Sequence, residues 1–301
     1  MNGLTQFFHN LFRGKRAVIG VPYTWFALLV LIPLLIVLKI SLSEMEMTTV
    51  SNMIDWSHGW PTVKLNFGSY AFIGSDALYI KTYLSSLKYA LITTLLCLAI
   101  GYPFAYFMAR SPKHLQPMLL MLIMLPFWTS FLLRIYAWKT LLVSNGVINN
   151  VLLSLGIIHT PLAMMNNSFS LIIGMVYSYL PFMILPLYAN LSKLDIRYLE
   201  AAADLGTSPF KAFWLITVPL SKAGIIAGSM LVFIPAVGEF VIPELLGGPD
   251  TLMIGRVLWD EFFSNNDWPM AAAVAVVMIM LILVPIAIFN KVEAEEVGGK
   301  A

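Results

Sequence analysis

The stretch RYLEAAADLGTSPFKAFWLITVPL, residues 197–220, lies between two long apolar runs in a chain of 301 residues. Only 11% of the residues are Asp, Glu, Lys or Arg, while 59% are hydrophobic and the mean hydropathy is +0.82. An α-helix needs about 20 apolar residues to cross the hydrocarbon layer of a bilayer, which is roughly 30 Å thick. The composition therefore predicts an all-α polytopic membrane protein, in which the quoted stretch is a polar connection between two spans.

Six apolar runs predict six transmembrane helices within a single membrane domain over residues 1–301. The runs are residues 17–40, 83–109, 117–138, 168–190, 221–243 and 268–290. Proline is expected to kink the second to fifth of these helices, because it frees a backbone carbonyl that neighbouring helices or water must satisfy. Kinked spans favour a protein that lines a pathway, and ordinary proline, which is common in membrane helices, is the alternative. Six spans are few for enclosing a gated pathway, which indicates a second copy or a homologous partner.

The distribution of basic residues predicts the orientation in the membrane. With the N-terminal segment inside, the inner segments hold eleven Lys and Arg residues and the outer segments hold four. The inner ones are Arg13, Lys15, Arg16, Arg110, Lys113, Lys193, Arg197, Lys211, Lys222, Lys291 and Lys300, and the outer ones are Lys64, Lys81, Lys139 and Arg256. The positive-inside rule then places both termini and the quoted stretch in the cytoplasm. The outer segments carry nine acidic residues against four basic ones. This excess would attract cations, and it is also what the positive-inside bias leaves behind.

The connection at residues 191–220 is predicted to contain two short helices joined by a turn. Its first part has apolar residues at helical spacing, and Gly206 suits the position just beyond a helix end. The Ser-Pro dipeptide at 208–209 suits the start of a second helix. The small side chains at 201–203 allow a partner surface to approach closely, and Glu200 offers that partner a charge. A plain interfacial amphipathic helix fits the same pattern.

The strings EAAADLG and ITVP in this connection resemble the cytoplasmic signature of type I binding-protein-dependent ABC importer permeases. That signature reads Glu-Ala-Ala, three residues, Gly, nine residues and Ile-x-Leu-Pro. The matching positions are Glu200, Ala201, Ala202, Gly206, Ile216 and Pro219, while Val218 replaces the usual leucine. The resemblance implies a type I permease fold in which the 191–220 loop couples the chain to a cytoplasmic ATPase.

Further strings resemble the permeases of putrescine and spermidine importers. They are IGYPFAYFMA, LPFWTSFLLRIYAW, NGVINNVLLSLGII, YSYLPFMILPLY and FIPAVGEFVIPELLGGPDTLMIGRVLWDEFF, and the last is most similar to the putrescine member. The resemblance implies a bacterial inner-membrane permease that translocates polyamines, putrescine first and spermidine second. Its implied partners are a cytoplasmic ATPase dimer, a second homologous permease and a periplasmic polyamine-binding protein, with no nucleic acid and no cofactor.

A path for polycations requires carboxylates and aromatic faces. Glu239 is the one acidic residue in the middle of a predicted span, where a charge is costly unless it is paired or lines a wet cavity. It is therefore a candidate substrate-path residue, and an ion pair with Arg134 is the alternative. Trp128, Tyr177 and Tyr179 are candidate cation–π contacts, and ordinary helix packing is the alternative for each.

Motifs for other functions are absent from the sequence. There is no GxxxxGK[ST] phosphate loop, HExxH or GxSxG, so neither nucleotide hydrolysis nor an intramembrane hydrolase is expected and the chain is predicted not to be an enzyme. The single cysteine and the four scattered histidines predict no metal site. An ABC permease for another small solute remains an alternative. An ion-coupled secondary transporter would favour inverted repeats and intramembrane relays, and a membrane scaffold would need neither kinks nor a mid-span acid.

Overall fold

The computed structural model describes residues 15–46, 49–51, 54–55 and 62–298, and these fold almost entirely into helices. The helices are α1 (Lys15–Phe26), α2 (Ile32–Ser41), α3 (Gly68–Ser75), α4 (Ala77–Arg110), α5 (Gln116–Met124), α6 (Phe131–Leu142), α7 (Val147–Ser154), α8 (Ser168–Leu191), α9 (Arg197–Asp204), α10 (Pro209–Ala212), α11 (Val218–Leu220), α12 (Lys222–Val237), α13 (Val241–Leu246), α14 (Ile254–Trp259) and α15 (Trp268–Gly298). Short 3-10 or π turns lie at Ala27–Leu31, Leu125–Trp128, Phe213–Thr217, Pro249–Thr251 and Asp260–Ser264. Two antiparallel hairpins pair β1 (Met45–Glu46) with β2 (Thr49–Val50) and β3 (Ile54–Asp55) with β4 (Thr62–Val63). Arg13 and Lys300, two of the basic residues behind the predicted orientation, lie outside the described residues.

The long apolar helices agree with the predicted all-α membrane fold. Four single helices in the described ranges are long and apolar enough to cross a membrane, at Val18–Ser41, Ala77–Arg110, Ser168–Leu191 and Trp268–Ala287. Two bent helix pairs raise the number to six if each pair is counted as one span. These positions follow the six apolar runs of the sequence.

The third predicted span is broken, not kinked. Its two parts, Gln116–Trp128 and Phe131–Ser154, meet at an angle of 84°. Pro126 lies in the 3-10 turn Leu125–Trp128, and the next residue, Thr129, has an extended backbone (ψ 152°). Ser130 is also non-helical (ψ 137°). The helical hydrogen-bond ladder therefore stops and restarts within the apolar run.

The fifth predicted span, 221–243, is also not one helix. Pro209–Leu220 and Lys222–Val237 meet at 67°, and α12 then ends at Val237. A new helix, α13, begins only at Val241, so Gly238, Glu239 and Phe240 form a second break. Backbone amides at a break need other acceptors, which makes these two positions the natural places to look for a polar site.

The chain divides into two compact units, Met1–Ser75 with Glu261–Val277, and Asp76–Asp260 with Met278–Ala301. Within the first unit, the Tyr70 hydroxyl donates to Ser41 Oγ at 2.7 Å, and Asn66 Nδ2 donates to Glu44 Oε1 at 3.0 Å. These bonds fix α3 to the end of α2. The long first connection thus carries two hairpins and a helix in its described parts.

The core of the second unit lies where α4, α8 and α12 pack together. Fully buried side chains there include Cys97, Met183, Leu187 and Val232. Helix α13 packs onto α8 at Gly174, where an added Cβ would lie 2.5 Å from Leu246 Cδ1. This close approach brings the break before α13 next to α8.

Candidate functional site

The signature in the 191–220 loop is built around a tight helix end. Helix α9 ends at Asp204, and Gly206 then takes a left-handed backbone conformation with φ +78°. The Gly206 N–H donates to Ala203 O at 2.8 Å and the Thr207 N–H donates to Ala202 O at 2.9 Å. This pair of bonds is the Schellman motif, which confirms the predicted position of Gly206 beyond the helix. Its left-handed backbone is a conformation that glycine adopts without steric cost.

The start of α9 is held by Asp195. Its carboxylate accepts the Arg197 backbone N–H at 3.0 Å and the Arg197 Nε at 2.8 Å. The side-chain hydrogen bond from Arg197 is the main cause, and the backbone hydrogen bond the second, that holds the pKa of the exposed Asp195 carboxyl below its ordinary value. The pair adds little stability because it is exposed, but it fixes where the helix begins.

The signature's second half is anchored to α4. Phe213 packs edge-on against Tyr102 and Tyr106, with ring centroids 5.4 and 5.7 Å apart. The hydroxyls of Tyr102 and Ser221 are hydrogen-bonded at 2.7 Å in a buried position. These contacts hold the end of the loop against α4. Sequence reasoning did not find Tyr102, because its partners lie more than a hundred residues away.

The six signature residues differ in exposure. Glu200, Ala201, Gly206 and Pro219 are exposed, Ile216 is half-buried, and Ala202 is buried against its own chain. Ala202 is thus not part of the open face. The same loop also exposes large apolar side chains, namely Ile196, Tyr198, Leu205, Phe210, Trp214 and Leu215. An apolar surface of this kind on a polar connection is typical of a site for another protein.

The second site is the break at Glu239. Its Oε1 accepts the backbone N–H groups of Phe240 at 3.1 Å and of Val241 at 3.0 Å. Its Oε2 accepts the Tyr179 hydroxyl at 2.5 Å. The carboxylate thus caps the amides that begin α13, where a negative charge is favoured, and it is tied to α8.

The alternative of an ion pair between Glu239 and Arg134 is not what the structure contains. Arg134 has 9% of its surface exposed, and its guanidinium lies over the rings of Phe127 and Phe131, at 4.7 and 5.7 Å from their centroids. Among the described residues, its Nε and Nη1 have no hydrogen-bond partner. The two charges are therefore accommodated separately, the anion by donors and the cation by aromatic faces.

The predicted aromatic residues are distributed unevenly around Glu239. Tyr179 contacts it directly, whereas Tyr177 packs edge-on against Trp138 at 5.6 Å. Trp128 is 80% exposed and lies next to the break in the third span. Within the described chain, no group of three metal-ligating side chains comes together.

A known protein family matches the part of the chain that carries these two sites. Residues 98–292 match the family described as binding-protein-dependent transport system inner membrane component. The chain belongs to this family. The match covers more than half of the chain and includes both the 191–220 loop and Glu239.

Individual relatives of this permease extend the match. The spermidine/putrescine transport system permease protein PotB of Haemophilus influenzae is 38% identical over 277 residues, which are 92% of this chain and 93% of that protein. PotB of Escherichia coli is 47% identical over 213 residues, 69% of this chain and 78% of that protein. The crystal structure of a bacterial alginate ABC transporter with its oligosaccharide-bound periplasmic protein has a similar fold, with a TM-score of 0.65 at 15% identity over 93% of this chain and 92% of that one.

These findings confirm three expectations from the sequence. The chain is an inner-membrane component of a binding-protein-dependent transport system, it has the fold of type I ABC importer permeases, and it is a translocation subunit rather than an enzyme.

Proposed function

We propose that this permease is one of two membrane subunits of an ATP-driven importer for linear aliphatic polyamines. A cytoplasmic ATPase dimer docks on the 191–220 loop, and a periplasmic binding protein delivers the substrate. The observation that carries the proposal is the EAA-x3-G signature, which ends in a Schellman turn and lies in a loop with exposed apolar side chains. Relatives of the chain are named for spermidine and putrescine, which supports the substrate class. The substrate class covers both amines, with putrescine favoured by the resemblance of residues 233–263.

Glu239 is proposed to lie on the substrate path, with aromatic side chains around it. Its carboxylate is half-buried at a break in an apolar run, where a passing ammonium would otherwise lose its hydration without compensation. Tyr179 and the backbone amides hold the carboxylate in one place. Trp128 and Tyr177 are proposed to offer aromatic faces to the cation further along the path.

The proposed function predicts ATP-dependent uptake of labelled putrescine and spermidine. The complete importer, reconstituted in vesicles with its binding protein, is expected to accumulate either amine at least about tenfold over vesicles without ATP. An importer whose ATPase partner cannot hydrolyse ATP is the control. Uptake driven by an ion gradient without ATP would contradict the proposal, and so would preferential uptake of an uncharged solute.

The proposed orientation predicts opposite labelling of two exposed positions. In a Cys97→Ala background, Thr160→Cys is expected to react with an impermeant maleimide from outside the cell. Leu205→Cys, which replaces a side chain that is 86% exposed, is expected to react only in inside-out vesicles. The reason is the excess of basic residues in the segments assigned to the cytoplasm. The reverse pattern of labelling would invert the topology.

A further inference from the structure

Arg134 is an unusual residue for the membrane segment of a cation importer. It follows the break in the third span by a single helical turn, and nine-tenths of its surface is buried. Two of its guanidinium nitrogens, Nε and Nη1, are enclosed without an acceptor among the described residues, although a buried N–H group normally costs free energy unless it is bonded. Its stabilisation therefore comes from the faces of Phe127 and Phe131.

A continuous series of aromatic rings connects Arg134 with Glu239. Phe127 packs edge-on against Phe182 at 5.2 Å, and Phe182 lies 6.3 Å from the ring of Tyr179, whose hydroxyl donates to Glu239. Two of these rings directly follow prolines, in the Pro-Phe dipeptides 126–127 and 181–182. The series is not enclosed by its own chain, since Phe182 is 38% exposed. A cation and an anion thus lie at the two span breaks, joined by rings that can accept a cation on their faces.

We propose that Arg134 is a resident cation that occupies, on the face of Phe127, a place that a substrate ammonium takes during passage. The proposal rests on the proposed function and adds a specificity-determining residue to it. A tethered guanidinium is present at high effective concentration and holds the aromatic site closed to weakly binding cations. An alkylammonium delivered by the binding protein displaces it, because the ammonium can bind to the same ring faces. Within the described chain Arg134 has no carboxylate partner to retain it, so its displacement breaks no ion pair.

Direct binding of putrescine to the complete importer in lipid nanodiscs, without the binding protein, tests this role. Arg134→Met keeps much of the length of the side chain and removes the competing charge. It is therefore expected to bind putrescine about tenfold more tightly than the wild type, a factor between those of an exposed and a desolvated cation–π contact. Arg134→Lys keeps a competing cation and is expected to bind as weakly as the wild type. Phe127→Leu combined with Arg134→Met is expected to lose the gain.

The outcomes separate a displaceable cation from a structural one. An unchanged affinity in Arg134→Met overturns the proposal. A gain that persists when Phe127 is also replaced overturns it as well, because the effect would then be long-range repulsion. If Arg134→Met does not assemble, Arg134→Gln is measured in its place. If neither neutral variant assembles while Arg134→Lys does, the proposal is overturned, because the fold then requires the positive charge at this position. Polyamine uptake by the wild type, measured in parallel, reports separately on the proposed function.

Discussion

Gly206→Pro is expected to reduce ATP-dependent uptake by at least about tenfold while the importer still assembles. Gly206 has φ +78°, whereas proline is fixed near −65°, and the substitution also removes the N–H that donates to Ala203 O. The Schellman turn is therefore lost, and the exposed face of α9 changes its direction relative to α10. On the proposed coupling role, ATP hydrolysis continues without transport. Uptake, ATPase activity and complex yield measured on one preparation test this.

Two matched variants isolate the role of the turn. Gly206→Asn is expected to retain most uptake, because asparagine tolerates the left-handed conformation better than other side chains. Gly156→Pro makes the same change at another left-handed glycine (φ +69°), in the connection after α7, and is expected to leave coupling intact. Normal uptake by Gly206→Pro, or equal loss in the Gly156 variant, would show that the signature turn has no special part in coupling.

The features that the sequence predicted well are those that depend on neighbouring residues. The turn at Gly206 was predictable because a helix end and its glycine lie within a few positions of each other. Pro209 was likewise correctly placed at the start of α10. Ser208 takes the N-cap position but forms no side-chain capping bond, a detail that depends on the local backbone geometry. The long helices followed from hydropathy, since length and apolarity alone determine whether a helix can cross a bilayer.

The features that the sequence left open depend on contacts between distant segments. Glu239 was recognised from its place in an apolar run, but whether it pairs with Arg134 or Tyr179 is decided by how α13 packs on α8. The break at Thr129 was expected as a kink from Pro126, and its 84° bend arises from two non-helical residues that no hydropathy pattern marks. Phe182 was overlooked because an aromatic residue in a membrane helix is ordinary until its ring neighbours are known.

The separation of the two charges changes how a mutation at Glu239 is interpreted. If Glu239 and Arg134 were an ion pair, neutralising one would leave the other buried and unpaired, and neutralising both would restore the protein. In the structure Glu239 and Arg134 have separate partners. Neutralising Arg134 as well is therefore not expected to restore a protein in which Glu239 has been neutralised. The informative partner for Glu239 is instead Tyr179, whose hydroxyl contacts Oε2 while the amides of α13 contact Oε1.

Glu239→Gln is expected to lower putrescine uptake at least about tenfold at unchanged complex yield and unchanged affinity of the amine for the binding protein. The amide oxygen of glutamine still accepts the N–H groups that begin α13, so the break keeps its local structure, whereas the charge that offsets desolvation of an ammonium is gone. Tyr179→Phe is the matched variant, since it removes one donor and keeps the charge. It is expected to lower uptake by less than about threefold. Equal losses of uptake in the two variants, or a fall in complex yield with Glu239→Gln, would assign Glu239 to holding the break rather than to the substrate path.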